Sequence, residues 1–108
     1  MRKGAEPVMT RRPGTNVKGE PFDQETIAKV WAKAQKELWF TFFKRDPCNV
    51  SIEWEEYGKQ TKYGWEIDHI RPVELGGTDD VHNLQPLHWQ NNRHKGVEYP
   101  DWVCKMKG

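Results

Sequence analysis

Between Trp65 and Gly96 the chain reads WEIDHIRPVELGGTDDVHNLQPLHWQNNRHKG, and the punctuation of that run leaves few folds open. WEIDHI has the β-branched and aromatic content of a strand, and Pro72 ends it. VELGGTDDVHN is a loop, marked by Gly76-Gly77 and by Thr78, Asp79 and Asp80. LQPL predicts a short second strand, which Pro86 confines to an edge position. HWQNNRHK predicts a short helix, stopped by Gly96 with cations in its last turn. The order is therefore strand, long loop, strand, helix.

Upstream, PFDQETIAKVWAKAQKEL predicts a longer helix. Asp23 is its N-cap, and Phe22 packs on Ile27 as a hydrophobic staple. Ile27, Val30, Trp31, Ala34 and Leu38 share one face, a core stripe rather than a cofactor site. WFTFF (39–43) is dense enough in aromatics to be expected buried, as the helix end or a following strand. VSIEW reads equally as a short strand or a turn. Gly58 and Gly64 bracket a polar loop, KQTKY.

At 108 residues the chain is one domain. The expected divisions are a flexible basic arm (1–20), a helical and aromatic packing segment (22–58), a core (59–97) and a tail (98–108). The 6 Trp residues can fill a small interior. No apolar run approaches the ~18 residues of a membrane helix, and no apolar stretch follows the basic residues of MRKGAEPVMTRRPG. A soluble, cytoplasmic protein with no membrane partner is the expectation. In a reducing compartment Cys48 and Cys104 are expected as two free thiols, and with no Cys-x-x-Cys pair a zinc ribbon of the usual spacing is excluded.

Net charge is only +1, but it is segregated. Arg2, Lys3, Arg11, Arg12 and Lys18 face only Glu6 in the first nineteen residues, whereas Glu53, Glu55 and Glu56 form an acidic patch. Arg93, His94 and Lys95 make a second basic cluster near the C-terminal end. Such a distribution permits phosphate binding on one side without requiring it.

Asp68, His69, Asn83, His88, Asn92 and His94 fall within one short segment. His88 and Asn92 are four apart and share a helix face. Adjacent strand residues point to opposite faces, so Asp68 and His69 are expected to divide their work. Asp68 and Asn92 offer hard oxygen ligands suited to Mg²⁺ or Mn²⁺, and adding His88 would move the preference toward Mn²⁺, Ni²⁺ or Zn²⁺. A neutral imidazole near physiological pH, with a metal ion beside it, is what phosphodiester hydrolysis requires.

In this order and spacing, EIDHIRPVELGGTDDVHNLQPLHWQNNRHKG resembles the HNH endonucleases. The resemblance covers about residues 63–97 and implies an α+β fold built on a ββα-metal core, two short antiparallel strands and a helix, with at least one packing helix before it. It implies that His69 is the general base, that Asn83 fixes the loop and orients the base, and that Asp68 and Asn92 ligate one divalent ion. Many members carry a Cys-x-x-Cys pair of a structural zinc where His88 and Asn91 stand here. Without that zinc, stability is expected from the Trp-rich core and the preceding helix. His88 is then either a third ligand or a helix-start histidine without a metal role.

The expected activity is metal-dependent DNA cleavage, leaving 5′-phosphate and 3′-hydroxyl ends. A monomer is favoured over a dimer, and one site per chain would nick one strand. Arg71, Arg93, His94 and Lys95 are the expected nucleic-acid contacts. The competing readings are a non-catalytic DNA- or metal-binding module on the same fold and a nuclease toxin.

Overall fold

The computed structural model describes residues 11–108. Helix α1 (Gln24–Trp31) starts where Asp23 accepts the backbone N–H of Thr26 at 2.8 Å. Phe22 and Ile27 are both buried in the same cluster, as a staple requires. The helix then stops seven residues short of Leu38. Lys33 N–H and Ala34 N–H bond back to Val30 and Trp31, and the Lys44 ammonium takes the Trp31 carbonyl at 3.2 Å.

The chain leaves α1 to form β1 (Gln35–Lys36), β2 (Phe43–Arg45) and β3 (Ser51–Glu53), an antiparallel sheet in that order. Pairing of Gln35 with Arg45 and Lys36 with Lys44 overrides the helical preference of AKAQKEL. The expectation for WFTFF fails at this point. Leu38, Trp39, Phe40 and Phe42 are 89%, 85%, 61% and 65% exposed at the tip of the β1–β2 hairpin. Only Phe43 turns inward, its ring 4.9 Å from that of Tyr63. Strand alternation at β2, not hydrophobicity alone, decides which aromatic is covered. VSIEW resolves as β3 followed by a single 3₁₀ turn, Trp54–Glu56.

The second sheet is β4 (Trp65–His69) against β5 (Leu84–His88), antiparallel with Trp65 opposite His88 and His69 opposite Leu84. α2 (Trp89–Lys95) follows β5 directly, and Gly96 lies just beyond it at φ 55°. These two strands and α2 form the strand, loop, strand, helix unit read from the sequence, in an α+β fold consistent with a ββα-metal core. Its core centres on Trp65, fully buried, with the rings of Trp31, Trp54 and Tyr57 at 5.1, 6.3 and 4.8 Å. Ile27, Val30, Ile52, Ile67 and Leu84 complete it, each burial of this kind being worth about 1.5–3 kcal/mol.

A second structural node lies outside that apolar core. Asp46, with no exposed surface, accepts the N–H groups of Cys48 and Val50 at 2.9 Å each. Its other oxygen accepts His88 N–H at 3.0 Å and the Asn91 amide at 3.2 Å. Asn91 in turn accepts Lys105 N–H and Met106 N–H. Cys48 and Cys104 are joined as a disulfide, not left as two thiols. Compartment was the only basis for expecting free thiols, whereas the fold brings the two Cα atoms to 6.0 Å, within bridging range. The C-terminal residues are thereby tied to the loop before β3. No helix among the described residues is long and apolar enough to cross a membrane.

Candidate active site

Alternation along β4 gives Glu66 and Asp68 one direction and His69 the other. Asp68 turns toward α2 and Gln85. Gln85 Nε2 donates to its Oδ2 at 2.9 Å, and the Lys95 ammonium lies 3.2 Å from the same oxygen. Burial pushes the Asp68 carboxyl up from its ordinary range, outweighing the Gln85 hydrogen bond and the Lys95 charge that pull it down. A desolvated carboxylate of this kind favours a further cation beside it.

His69 is 3% exposed and packs its ring 5.9 Å from that of Phe22. Its Nε2 lies 2.8 Å from Asp79 Oδ1. A carboxylate at that distance fixes the tautomer with the proton on Nε2. Nδ1 is left as the basic nitrogen, and among the described residues no donor reaches it. His69 lines a cleft shared with Asp68, Asn92, Arg93 and residues of the 11–20 segment.

The loop carrying Asp79 is shaped by Asn83. Asn83 Oδ1 accepts Arg71 N–H at 2.8 Å, while Nδ2 donates to the carbonyls of Arg71 and Thr78 at 3.1 and 2.9 Å. All three contacts close the 71–83 loop on itself just beyond His69. Gly77 is required there, because a Cβ would fall 1.7 Å from the Arg71 carbonyl oxygen. Asn83 thus shapes the loop that places Asp79 beside His69.

On α2, Asn92 donates through Nδ2 to Glu66 Oε1 at 2.7 Å, which leaves its amide oxygen without a donor among the described residues. Arg93 forms an ion pair with the same glutamate, Nη2 to Oε2 at 2.8 Å. Glu66 therefore sets the position of both neighbours. Sequence reasoning assigned no role to Glu66 or Asp79. The two-residue spacing from Glu66 to Asp68 on a strand is the signal that would have placed both on one face.

The other sequence-derived candidates are placed as follows. His88 sits opposite Trp65, at the far end of the hairpin from Asp68. Its Nδ1 accepts Gln90 N–H at 3.1 Å as the cap of α2, and its Nε2 donates to the Lys62 carbonyl at 2.8 Å. Both ring nitrogens are occupied. Lys95, expected at a nucleic-acid surface, is 2% exposed and bonds Asp68 and the His69 carbonyl. His94, Arg93 and Arg71 are exposed, with Arg71 Nε donating to the Leu75 carbonyl at 2.8 Å.

The implied divalent ion fits this donor set in one way. Asp68 and Asn92 line the same cleft with a carboxylate and a free amide oxygen. Among the described residues no cluster of three or more His, Cys, Asp and Glu is formed. Two protein oxygens with water and phosphate completing the shell suit Mg²⁺, which dehydrates reluctantly, better than an all-protein cage.

Residues 48–98 match the family model described as HNH endonuclease. No curated protein and no solved structure matches the chain.

Proposed function

We propose, from the match of residues 48–98 to the HNH endonuclease family model, that the protein is a divalent-metal-dependent DNA endonuclease. It hydrolyses the phosphodiester backbone and nicks one strand per active site. The observation that carries the reading is His69, with Nε2 on Asp79 and Nδ1 reached by no donor among the described residues, lining a cleft together with Asp68 and Asn92. A nuclease acting at neutral pH needs such a base, held in one tautomer beside hard oxygen donors.

Asp68 and Asn92 would hold Mg²⁺ or Mn²⁺, and the bound ion supplies neutralisation of charge on the phosphate and on the leaving oxygen. His69 Nδ1 takes a proton from a water molecule, whose oxygen attacks phosphorus. The P–O3′ bond breaks, leaving a 5′-phosphate and a 3′-oxygen that solvent protonates. Asp79 stabilises the imidazolium formed in that step. Lys95 holds Asp68 in place, and Glu66 holds Asn92. Arg93, which lines the cleft, and the exposed Arg71 and His94 bind flanking phosphates. With both nitrogens of His88 engaged, we assign it to capping α2 and leave it out of the ligand set.

The test is conversion of supercoiled plasmid across Mg²⁺, Mn²⁺, Ni²⁺ and Zn²⁺ by the parent and by His69→Ala. The expected result is open circle without early linear product, and a loss of roughly 10²–10⁴-fold in the variant. A His69→Ala protein that cut at the parent rate would end the assignment. DNA retarded in a gel but uncut in every metal would make the protein a binding module instead.

A further inference from the structure

The segment preceding α1 contributes to the cleft itself. Gly14, at φ 79°, lies against Glu66, where even a Cβ would be only 3.5 Å from the Glu66 Cβ. Val17 N–H donates to both oxygens of Asp79, at 3.2 and 3.3 Å. Between and after them Asn16 closes a turn, its side chain accepting Lys18 N–H and Glu20 N–H at 2.9 Å. The stretch is thus pinned at two points to residues that orient Asn92 and His69.

Arg11 is carried into the same cleft by this segment, beside Asp68, His69 and Asn92. Its Nη1 is held by the Thr15 carbonyl at 2.6 Å and by Thr15 Oγ1 at 3.3 Å, so the guanidinium is aimed by its own segment. Its Nε is buried and makes no hydrogen bond among the described residues. A buried N–H left without an acceptor costs the desolvation of that group, which a bound oxyanion can recover. Two other cations beside these residues are already matched, Arg93 by Glu66 and Lys95 by Asp68. A planar guanidinium with donors not matched by a carboxylate is the side chain best suited to phosphate oxygens.

We propose that Arg11 is a phosphate-binding residue of this active site, gripping the DNA phosphodiester presented to His69. The inference rests on the nuclease reading for the identity of the substrate. Its physical claim, one charge-assisted contact to a backbone phosphate, can be measured without cleavage.

The experiment is binding of the full chain to a short DNA duplex in EDTA over a range of KCl concentrations. Loss of one phosphate contact lowers the slope of log K against log[salt] by about 0.9. Arg11→Gln is expected to show that drop together with weaker binding. Arg11→Lys should keep the slope, because the charge remains. Lys29→Gln, on the exposed face of α1, is the comparator. Thermal unfolding of each variant separates a lost contact from a lost fold. An Arg11→Gln slope equal to the parent's overturns the proposal, even if the parent cuts DNA. A slope drop in a protein that cuts nothing in any metal would support Arg11 as a phosphate contact and sink the nuclease reading instead.

Discussion

His69 Nε2 and Asp79 Oδ1 are 2.8 Å apart, and the same carboxylate receives the backbone N–H of Val17. One acidic side chain thus joins the proposed base to a segment that is 62 residues away in sequence. Asp79→Ala is expected to slow single-turnover cleavage by less than the roughly 10²–10⁴-fold of removing the base. Duplex affinity in EDTA should weaken as well, because the Val17 anchor of the segment that carries Arg11 is lost. A variant as fast as the parent would show that the loop alone orients the ring.

Glu66 holds Asn92 at 2.7 Å and Arg93 at 2.8 Å, and so stands behind one proposed ligand. Groups that orient a metal ligand typically contribute roughly 10–100-fold to metal affinity or activity. Glu66→Gln is expected to raise the Mn²⁺ concentration needed for half-maximal cleavage within that range. Titrating the metal at fixed DNA checks it, and an unchanged midpoint would remove Glu66 from the site.

The raised Asp68 carboxyl sets a direction for pH. Burial raises the folded-state value above the unfolded one, so the folded protein takes up this proton more readily than the unfolded chain does. The ionised form is therefore a cost to stability that grows as pH rises through the unfolded and then the folded value. A divalent ion offsets that cost and competes with the proton. Added Mn²⁺ should raise the melting temperature at neutral pH, and the gain should shrink as pH falls while still above the ordinary carboxylate range. In Asp68→Asn the pH-dependence of that gain should vanish.

Asp46 supports three backbone N–H groups and one side-chain amide from a fully buried position. Asp46→Ala would orphan those donors at about 1–3 kcal/mol each. Denaturant unfolding should show a loss of several kcal/mol, far larger than that of an exposed carboxylate such as Glu25. A loss no larger than Glu25→Ala would mean water replaces the carboxylate at little cost.

Reduction of the Cys48–Cys104 bridge, which spans 56 residues, is expected to lower stability by about 2–4 kcal/mol. Comparing unfolding midpoints with and without a thiol reductant measures it. Equal midpoints would show that the hydrogen bonds of Asn91 and Gly108 secure the tail without the bridge.

The strand, loop, strand, helix unit was legible because its signals are local. Pro72, the Gly76-Gly77 pair and Gly96 each end or turn an element within a few residues, and β4, β5 and α2 appear where those residues placed them. The separation of Asp68 from His69 followed from strand alternation alone. What could not be read depends on contacts between distant segments. The end of α1 is set by pairing with Lys44 and Arg45 across a hairpin, so helical periodicity through Leu38 misled. His88 and Lys95 carry chemistry that suits a metal or a phosphate, yet the carbonyls of Lys62 and His69 capture them. Asp79 acquires meaning only from the fold of its loop onto His69, and Arg11 only from the approach of the 11–20 segment to the cleft.

The hairpin tip and the core differ most sharply in their tryptophans, with Trp39 85% exposed and Trp65 sealed. The protein therefore carries two built-in optical reporters of opposite accessibility. A soluble quencher such as acrylamide should extinguish the red-shifted emission of Trp39 and leave the blue-shifted emission of Trp65 nearly untouched. Any molecule that settles on the β1–β2 tip would shield the first signal, while unfolding would surrender the second.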